Sequence, residues 1–307
     1  MEHIYDVLIL GGGPAGYSAA LYTARPGLDT LVIEKICPGG QMAPTDIIDN
    51  YPGFDAGVDG IELGMKMAAG AERFGAKSAY AEITEVDLAP AVKRVVTTDG
   101  VYLGKTVIIA TGASPRPLGL ESEQGLIGRG VHYCAHCDGR FYKGKTVMVV
   151  GGGNSAASDA LYLSGLCEKV IVVHRRDTLR ATKIYHAPLM RAENVEFCWN
   201  STVTALHADK RIDSVTLTDL TSGQEREVKI DGLFVSIGRQ PATELFAEQL
   251  ALDAHGYIIA DESTKTSIDG VFAAGDVRTK ELRQVVTAAA DGAVAAHMAE
   301  TYLAMQE

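Results

Sequence analysis

A strand, a glycine-rich turn and a helix occur twice in this 307-residue chain, and the repeat restricts the folds open to it more than any other feature. The stretch Val7 to Gly16 (VLILGGGPAG) is matched 140 positions on by Val147 to Ala156 (VMVVGGGNSA). The offset holds through the following helix, where Ser18, Ala20, Leu21 and Tyr22 recur as Ser158, Ala160, Leu161 and Tyr162, and into a second strand, where Val32 recurs as Val172. Each copy reads as a buried strand leading through a tight turn into a helix, so an α/β fold with two Rossmann-like dinucleotide-binding domains is expected.

The residue types explain why such a turn takes a pyrophosphate. The first glycine permits the turn, the second lets backbone approach the ligand, and the third position must be small for helix to pack on strand. Gly11, Gly13 and Gly16 satisfy this, as do Gly151, Gly153 and Ala156. The helix that follows turns unpaired N–H groups and its positive end toward the phosphates. One such motif is weak, since glycines also cluster in ordinary turns, but two in register are specific.

The residue ending the second strand of each copy sets the preference of its site. In the first it is Glu34, a carboxylate suited to a ribose 2′-OH. Its counterpart is His174, followed by Arg175, Arg176 and, one helical turn on, Arg180. Guanidinium forks pair with phosphate in bidentate geometry, so the second site is expected to hold a 2′-phosphate, and with it NADPH over NADH. The plainer reading is a solvated run of positive charge.

Between the copies lies Cys134-Ala135-His136-Cys137-Asp138-Gly139. In a helix the i, i+3 spacing puts both sulfurs on one face, within bridging distance. The pair reads as a redox dithiol, as half a zinc site completed by ligands such as His132 or His136, or as two inert buried cysteines. A helix N-terminus and a protonated His136 would favour a thiolate. Asp138 is either an acid that reprotonates a leaving thiolate or a helix-start carboxylate. Cys37, Cys167 and Cys198 are scattered and read as structural or incidental thiols.

Together these residues resemble the low-molecular-weight thioredoxin reductase family of flavoprotein disulfide reductases. The resemblance runs from Tyr5 to about Leu303 and adds Gly39-Gly40-Gln41, Asn50-Tyr51-Pro52-Gly53, Ala110-Thr111-Gly112, Gly270 to Asp276 and Arg283-Gln284 to the motifs above. It implies FAD in the first site, held by Gly11, Gly13, Pro14, Ala15 and Gly16, by Glu34, Gly40, Gln41 and Asn50, by Ala110, Thr111 and Gly112, and by Gly275, Asp276, Arg283, Gln284 and Val285. It implies NADPH in the second, held by Gly151, Gly153, Asn154, Ser155 and Ala156 and by His174, Arg175, Arg176 and Arg180. No metal is implied. A carboxylate at Asp276, at a strand end, suits a ribityl hydroxyl, and a helix beginning near Gln284 would turn its positive end toward a reduced flavin ring. The chain departs from the family at His136, where a small or β-branched residue is usual, and at Arg239-Gln240. A cationic imidazole at His136 would stabilise the thiolate and make the dithiol more oxidising.

Because Gly275-Asp276 by this resemblance belongs with the first site yet follows the second in sequence, the FAD domain is expected to be discontinuous. Residues 1 to about 114 and about 245 to 307 would form it, with an NADPH domain of about 115 to 244 inserted. The crossings fall near Ser114-Pro115-Arg116-Pro117 and Gly238-Arg239-Gln240-Pro241, where prolines stiffen the chain. The 33 glycines exceed average usage, as two such turns and many tight connections require. A net charge of −11 argues against nucleic acid as a partner. No run of 18 apolar residues occurs and no basic leader precedes Tyr5, so neither a membrane span nor a signal peptide is expected. Five cysteines do not make a secreted disulfide framework, which points to the cytoplasm.

The resemblance implies an NADPH-dependent reductase. A hydride passes from NADPH to FAD, the Cys134–Cys137 disulfide is reduced through Cys137, and Cys134 then attacks a disulfide of thioredoxin or a similar dithiol protein, with Asp138 as the acid. The NADPH domain would rotate between two orientations, and the protein would be a homodimer. No thioredoxin-like domain precedes Tyr5, so the acceptor is expected to be a separate molecule. A flavin dithiol oxidase or a ferredoxin-dependent thioredoxin reductase would lack the arginine cluster, and a flavin-type ferredoxin-NADP reductase would lack the dithiol. A non-catalytic FAD redox sensor would keep the motifs without turnover.

Overall fold

The structure is a computed structural model that describes residues 3–45 and 47–306. The chain divides into two compact units, Met1–Ser114 with Gln240–Glu307, and Pro115–Arg239. The first begins with β1 (Ile4–Leu10), α1 (Pro14–Ala24), β2 (Thr30–Glu34), α2 (Gly60–Glu72), β3 (Lys77–Tyr80), β4 (Ile83–Asp87), β5 (Lys93–Thr97) and β6 (Gly100–Ile109). Its sheet has the order β3-β2-β1-β6-β5-β4. The β3, β2, β1 and β6 neighbours are parallel, and β4 and β5 join as an antiparallel extension. Alternation along the central strand distributes the core. Val7 and Ile9 face a cluster with Ala15, Ala19 and Ala20 of α1, while Leu8 and Leu10 face Ile33, Leu88 and Phe246 on the other side.

The chain leaves through β7 (Ala113–Pro115) into the second unit. That unit comprises β8 (Val131–His132), α3 (Ala135–Asp138), β9 (Thr146–Val150), α4 (Asn154–Ser164), β10 (Lys169–Val173), α5 (Lys183–Arg191), β11 (Val195–Cys198), β12 (Ser201–Ala208), β13 (Ile212–Asp219), β14 (Glu225–Lys229) and β15 (Gly232–Val235). A parallel sheet of order β11-β10-β9-β15-β8 is accompanied by an antiparallel meander of order β12-β13-β14. The alternation of β1 recurs in β9: Val147 and Val149 pack with Ala156, Ala157 and Ala160 of α4, and Met148 and Val150 pack with Val215 and Leu217 of the meander. The repeat seen in sequence is therefore a repeat of core as well as of turn.

The return is through β16 (Arg239–Pro241), which pairs with β7. Re-entry into the first unit falls at Gln240, earlier than the boundary near 245 read from sequence. The reason is local: Ala242 N donates to Gly112 O at 3.0 Å and the Thr243 hydroxyl to Gly256 O at 2.8 Å, both partners within the first unit. Then β17 (Val271–Ala273) adds in parallel beside β6, and α6 (Val285–Ala304) packs along α1. A methyl at Gly292 would lie 2.1 Å from Ala15 O, so only glycine allows this approach, and the Ser18 hydroxyl donates to Ala289 O at 2.6 Å across it. Among the described residues no helix is long and apolar enough to cross a membrane.

One buried polar cluster ties the segment after β17 to α6. The Asp291 carboxylate accepts from Gly275 N at 2.9 Å, from Arg278 Nε and Nη2 at 2.8 Å each, and from Lys280 Nζ at 2.8 Å. Burial raises its pKa, but the bonds and charges of Arg278 and Lys280 outweigh that and hold it below the ordinary value. Asp291→Asn leaves the buried Arg278 with only the exposed Glu262, at 3.7 Å, as counter-charge and is expected to lower unfolding stability by about 3 kcal/mol. A carboxyl held low in the folded state stabilises it fully above its unfolded pKa. In chemical melts the wild-type advantage should therefore be complete at neutral pH and shrink as pH falls below 3.8.

Candidate functional site

The two glycine turns have the same backbone. Gly13 and Gly153 cap α1 and α4 with φ, ψ of −78°, −174° and −90°, −175°, and neither helix has a side-chain cap. Gly11 N donates to Ile33 O at 2.8 Å and Gly151 N to Val173 O at 3.0 Å. Gly11 has φ of 107° and Gly151 of 146°, and a methyl there would lie 2.5 Å from Ala110 O in the first copy and 2.3 Å from Ser236 O in the second. Above Gly13 and Gly153, by contrast, nothing lies within 4 Å of where a methyl would sit. Each turn is thus closed beneath by the carbonyl of the residue just past a strand, Ala110 after β6 or Ser236 after β15, and open above, beside helix N–H groups that no side chain satisfies. That is a cradle for a diphosphate.

Around the first turn the structure gathers residues distant in sequence. Glu34, ending β2, accepts from Gly12 N at 2.6 Å, and Gly40 approaches Gly13 closely enough that a methyl at Gly40 would be 3.2 Å from its Cα. Gly275 lies so close to Ala15 that a methyl there would be 2.9 Å from the alanine Cβ. Asn50 Nδ2 donates to Gln284 Oε1 at 3.0 Å, and Gln284 is the N-cap of α6, whose first residue is Val285. Arg283 lies over the Tyr257 ring at 4.0 Å and donates to Asp276 O at 3.4 Å. Gln41 Nε2 donates to Ser114 Oγ at 3.4 Å, and the Thr111 hydroxyl to Ala242 O at 2.8 Å. Pro14 occupies the first position of α1, where its missing N–H costs nothing.

Around the second turn the loop after β10 folds back onto the glycines. Arg180 N donates to Gly152 O at 2.7 Å and Thr182 N to Asn154 Oδ1 at 2.8 Å, while Ser155 is exposed at the start of α4. Arg175, Arg176 and Arg180 are exposed. His174 departs from the sequence reading, which grouped it with these cations. It is 4% exposed, and its ring lies against Gly152, where a methyl would be 2.4 Å from three ring atoms. Burial, then the charges of Arg180, Arg176 and Arg175, push its pKa down. His174 supports the loop from beneath, with Nε2 buried and unpartnered, and the exposed charge of the loop resides in the arginines.

Cys134 and Cys137 form a disulfide with Cα atoms 5.3 Å apart. They do not both lie within a helix, as the spacing suggested. Cys134 is the extended N-cap of the one-turn α3 and Cys137 its third residue, a geometry that brings the sulfurs together because an N-cap faces the third helical position. Both are half-buried. Cys167 and Cys198 are buried and reduced; burial pushes the Cys167 thiol up to about 11 and raises Cys198 as well. His136 is exposed and lies 4.2 Å from the Tyr162 ring. Sequence reasoning missed Tyr142 and Asp159 here, and read His132 only as a zinc-ligand candidate. His132 bonds Asp138 and Tyr142. Asp159 of α4 accepts from the Ser236 hydroxyl; burial raises its pKa, partly offset by that bond and by the charges of His136 and Arg239. The chain's two family departures thus act on one carboxyl that no sequence motif marks.

Two glycine cradles and a disulfide in one chain define a class. The family model for pyridine nucleotide-disulphide oxidoreductases matches residues 5–292, and the chain belongs to that family. Within it, the chain is similar to proteins named thioredoxin reductase. It is 47% identical to that of Listeria innocua over 98% of this chain and 95% of the relative, and 46% identical to that of Bacillus subtilis over 98% and 96%. The crystal structure of the thioredoxin reductase of Streptococcus pyogenes superposes with a TM-score of 0.91 at 42% identity, over 99% of this chain and 100% of that one.

The cysteine arrangement is directly countable. Oxidised protein titrated with a thiol reagent should show one fast thiol when native, from exposed Cys37. Three should react after denaturation, from Cys37, Cys167 and Cys198, and all 5 after reduction.

Proposed function

We propose that the chain is an NADPH-dependent thioredoxin reductase, with FAD in the first unit, NADPH in the second, and the Cys134–Cys137 pair as the group that passes electrons to thioredoxin or a similar dithiol protein. The observation that carries this reading is the pairing of two matching glycine cradles, one faced by a carboxylate and one by arginines, with a disulfide on the unit bearing the arginines.

The donor sets fit the cofactors. Glu34, beside the first cradle, suits the ribose hydroxyls of an adenosine without a 2′-phosphate, whereas Arg175, Arg176 and Arg180 beside the second suit one that bears it. Gly11 to Gly16, Gly40, Gln41, Asn50, Ala110 to Gly112 and Gly275 to Val285 form the FAD surround. Gly151 to Ala156 and the arginines form that of NADPH. When bound, the two cofactors supply the two-electron chemistry that opens the disulfide. The residues of the chain do the rest: Cys137 receives the electrons, Cys134 attacks the acceptor disulfide, and Asp138, adjoining Cys137, provides a proton. With thioredoxin near −270 mV, a strong reductant such as NADPH is suited to drive the exchange, a value of about that size being typical. A dithiol that serves a flavin and an external protein in turn requires the second unit to rotate about the two crossings. The enzyme works as a homodimer in the cytoplasm, with no nucleic acid or membrane partner; the net charge of −11 and the family likeness support this.

Two variants test the assignment. Cys137→Ser should still bind FAD yet lose thioredoxin reduction, and retained turnover would sink the assignment. Replacing both Arg175 and Arg176 with Ala should raise KM for NADPH about a hundredfold, the loss expected from two charge-assisted hydrogen bonds, and leave KM for NADH within a fewfold. Equal effects on the two nucleotides would refute the 2′-phosphate role.

A further inference from the structure

Beside the disulfide, within the second unit, a chain of polar side chains runs inward from Asp138. His132 Nδ1 lies 3.0 Å from Asp138 Oδ2, and His132 Nε2 lies 2.6 Å from the Tyr142 hydroxyl. The Arg211 guanidinium sets a positive charge near that hydroxyl, and Arg211 is exposed. His132 and Tyr142 are 7% and 1% exposed, and the histidine ring is stacked on Phe234 at 5.3 Å.

The chemistry of the ends sets the direction of the chain. A carboxylate only accepts, so the ring proton that faces Asp138 sits on His132 Nδ1, and Nε2 of the neutral ring accepts from the Tyr142 hydroxyl. A structural histidine needs no such alignment, and the stacking on Phe234 would hold the ring without it.

We propose that His132 is a positioning residue for the proton step at the dithiol: its Nδ1–H takes up the carboxylate that Asp138 becomes on protonating a departing thiolate, and the Tyr142 hydroxyl keeps the ring in the tautomer that can do so. The inference rests on the reading of Cys134–Cys137 as the redox pair. In the exchange, the Cys134 thiolate bonds to one sulfur of the acceptor disulfide and that S–S bond breaks. Cys137, as its thiolate, then bonds to the Cys134 sulfur and releases the second acceptor thiolate. The acceptor gains two electrons, the cysteine pair loses two, and each released thiolate takes one proton. Asp138 supplies one of these and solvent the other, and solvent later restores the acid. His132 orients the carboxyl before the transfer and stabilises its anion after it.

The test uses the full-length FAD-loaded enzyme and separates two half-reactions. His132→Phe keeps an aromatic ring against Phe234 but removes both nitrogens. Reduction of the flavin by NADPH should stay within twofold of wild type. Turnover with thioredoxin should fall about tenfold, as loss of one charge-assisted hydrogen bond implies. The limb of the pH profile set by the acid should move, against a background of the other groups facing this chain: Tyr142, Arg211 and Asp231. Tyr142→Phe, which removes only a hydroxyl, should move the same limb by less, and His132→Gln, which restores a donor and an acceptor, should recover part of the rate. If His132→Phe and Tyr142→Phe both keep the wild-type pH profile, with rates unchanged or lowered uniformly, the proposal is wrong. Failure of the wild-type enzyme to reduce thioredoxin would instead overturn the functional reading beneath it.

Discussion

The close stacking of a carbonyl just past a strand's end beneath the first glycine of each turn is the constraint on which the rest depends. At Gly11 and Gly151 the backbone adopts a positive φ with Ala110 O and Ser236 O pressed against the missing side chain. That fit locks the turn at the end of β1 or β9 and aims the N-terminus of α1 or α4 at one point above it. The adjoining helix–strand contacts are short for the same reason, since a methyl at Gly16 would lie 1.9 Å from Gly11 O. Once the turn is fixed, the next strand must end beside it, which brings Glu34 to one cradle and the loop of Arg175 to Arg180 to the other. One backbone solution, used twice, yields two ligand sites that differ only in what the neighbouring strand ends with.

Much of this was legible from the residues because it rests on local rules. The apolar runs, the glycines and the fixed offset identify β1, α1, β9 and α4, and the two helices span the same 11 positions of their repeats. The C-x-x-C spacing carries the disulfide even though Cys134 turned out to be a cap rather than a helical residue. The charge of the arginine loop is likewise visible in order along the chain.

What escaped the sequence depends on burial and on contacts between distant segments. His174 reads as one more cation in a basic run, but its place under Gly152 removes its solvent and, with three arginines near, pushes its pKa down. Asp291, an unremarked residue in an alanine-rich helix, holds Gly275, Arg278 and Lys280, and so sets the strand end that carries Asp276. In the sequence His132 reads only as a zinc-ligand candidate; its bonds to Asp138 and to Tyr142 appear once β8 and the turn after α3 lie together. None of these has a spacing rule that would announce it. The boundary at Gln240 is of the same kind, since it is fixed by Ala242 reaching Gly112, a contact between segments 130 positions apart, as 242 less 112 shows.

The central claim is that two nucleotide sites and one dithiol act in series. An anaerobic titration of the purified yellow protein with NADPH, then with NADH, followed by flavin absorbance before and after adding oxidised thioredoxin, tests it most directly. The account predicts bleaching by NADPH at far lower concentration than by NADH, reversed when thioredoxin is added. Failure of NADPH to bleach the flavin would contradict it, because the arginine-faced cradle would then not be the entry for electrons.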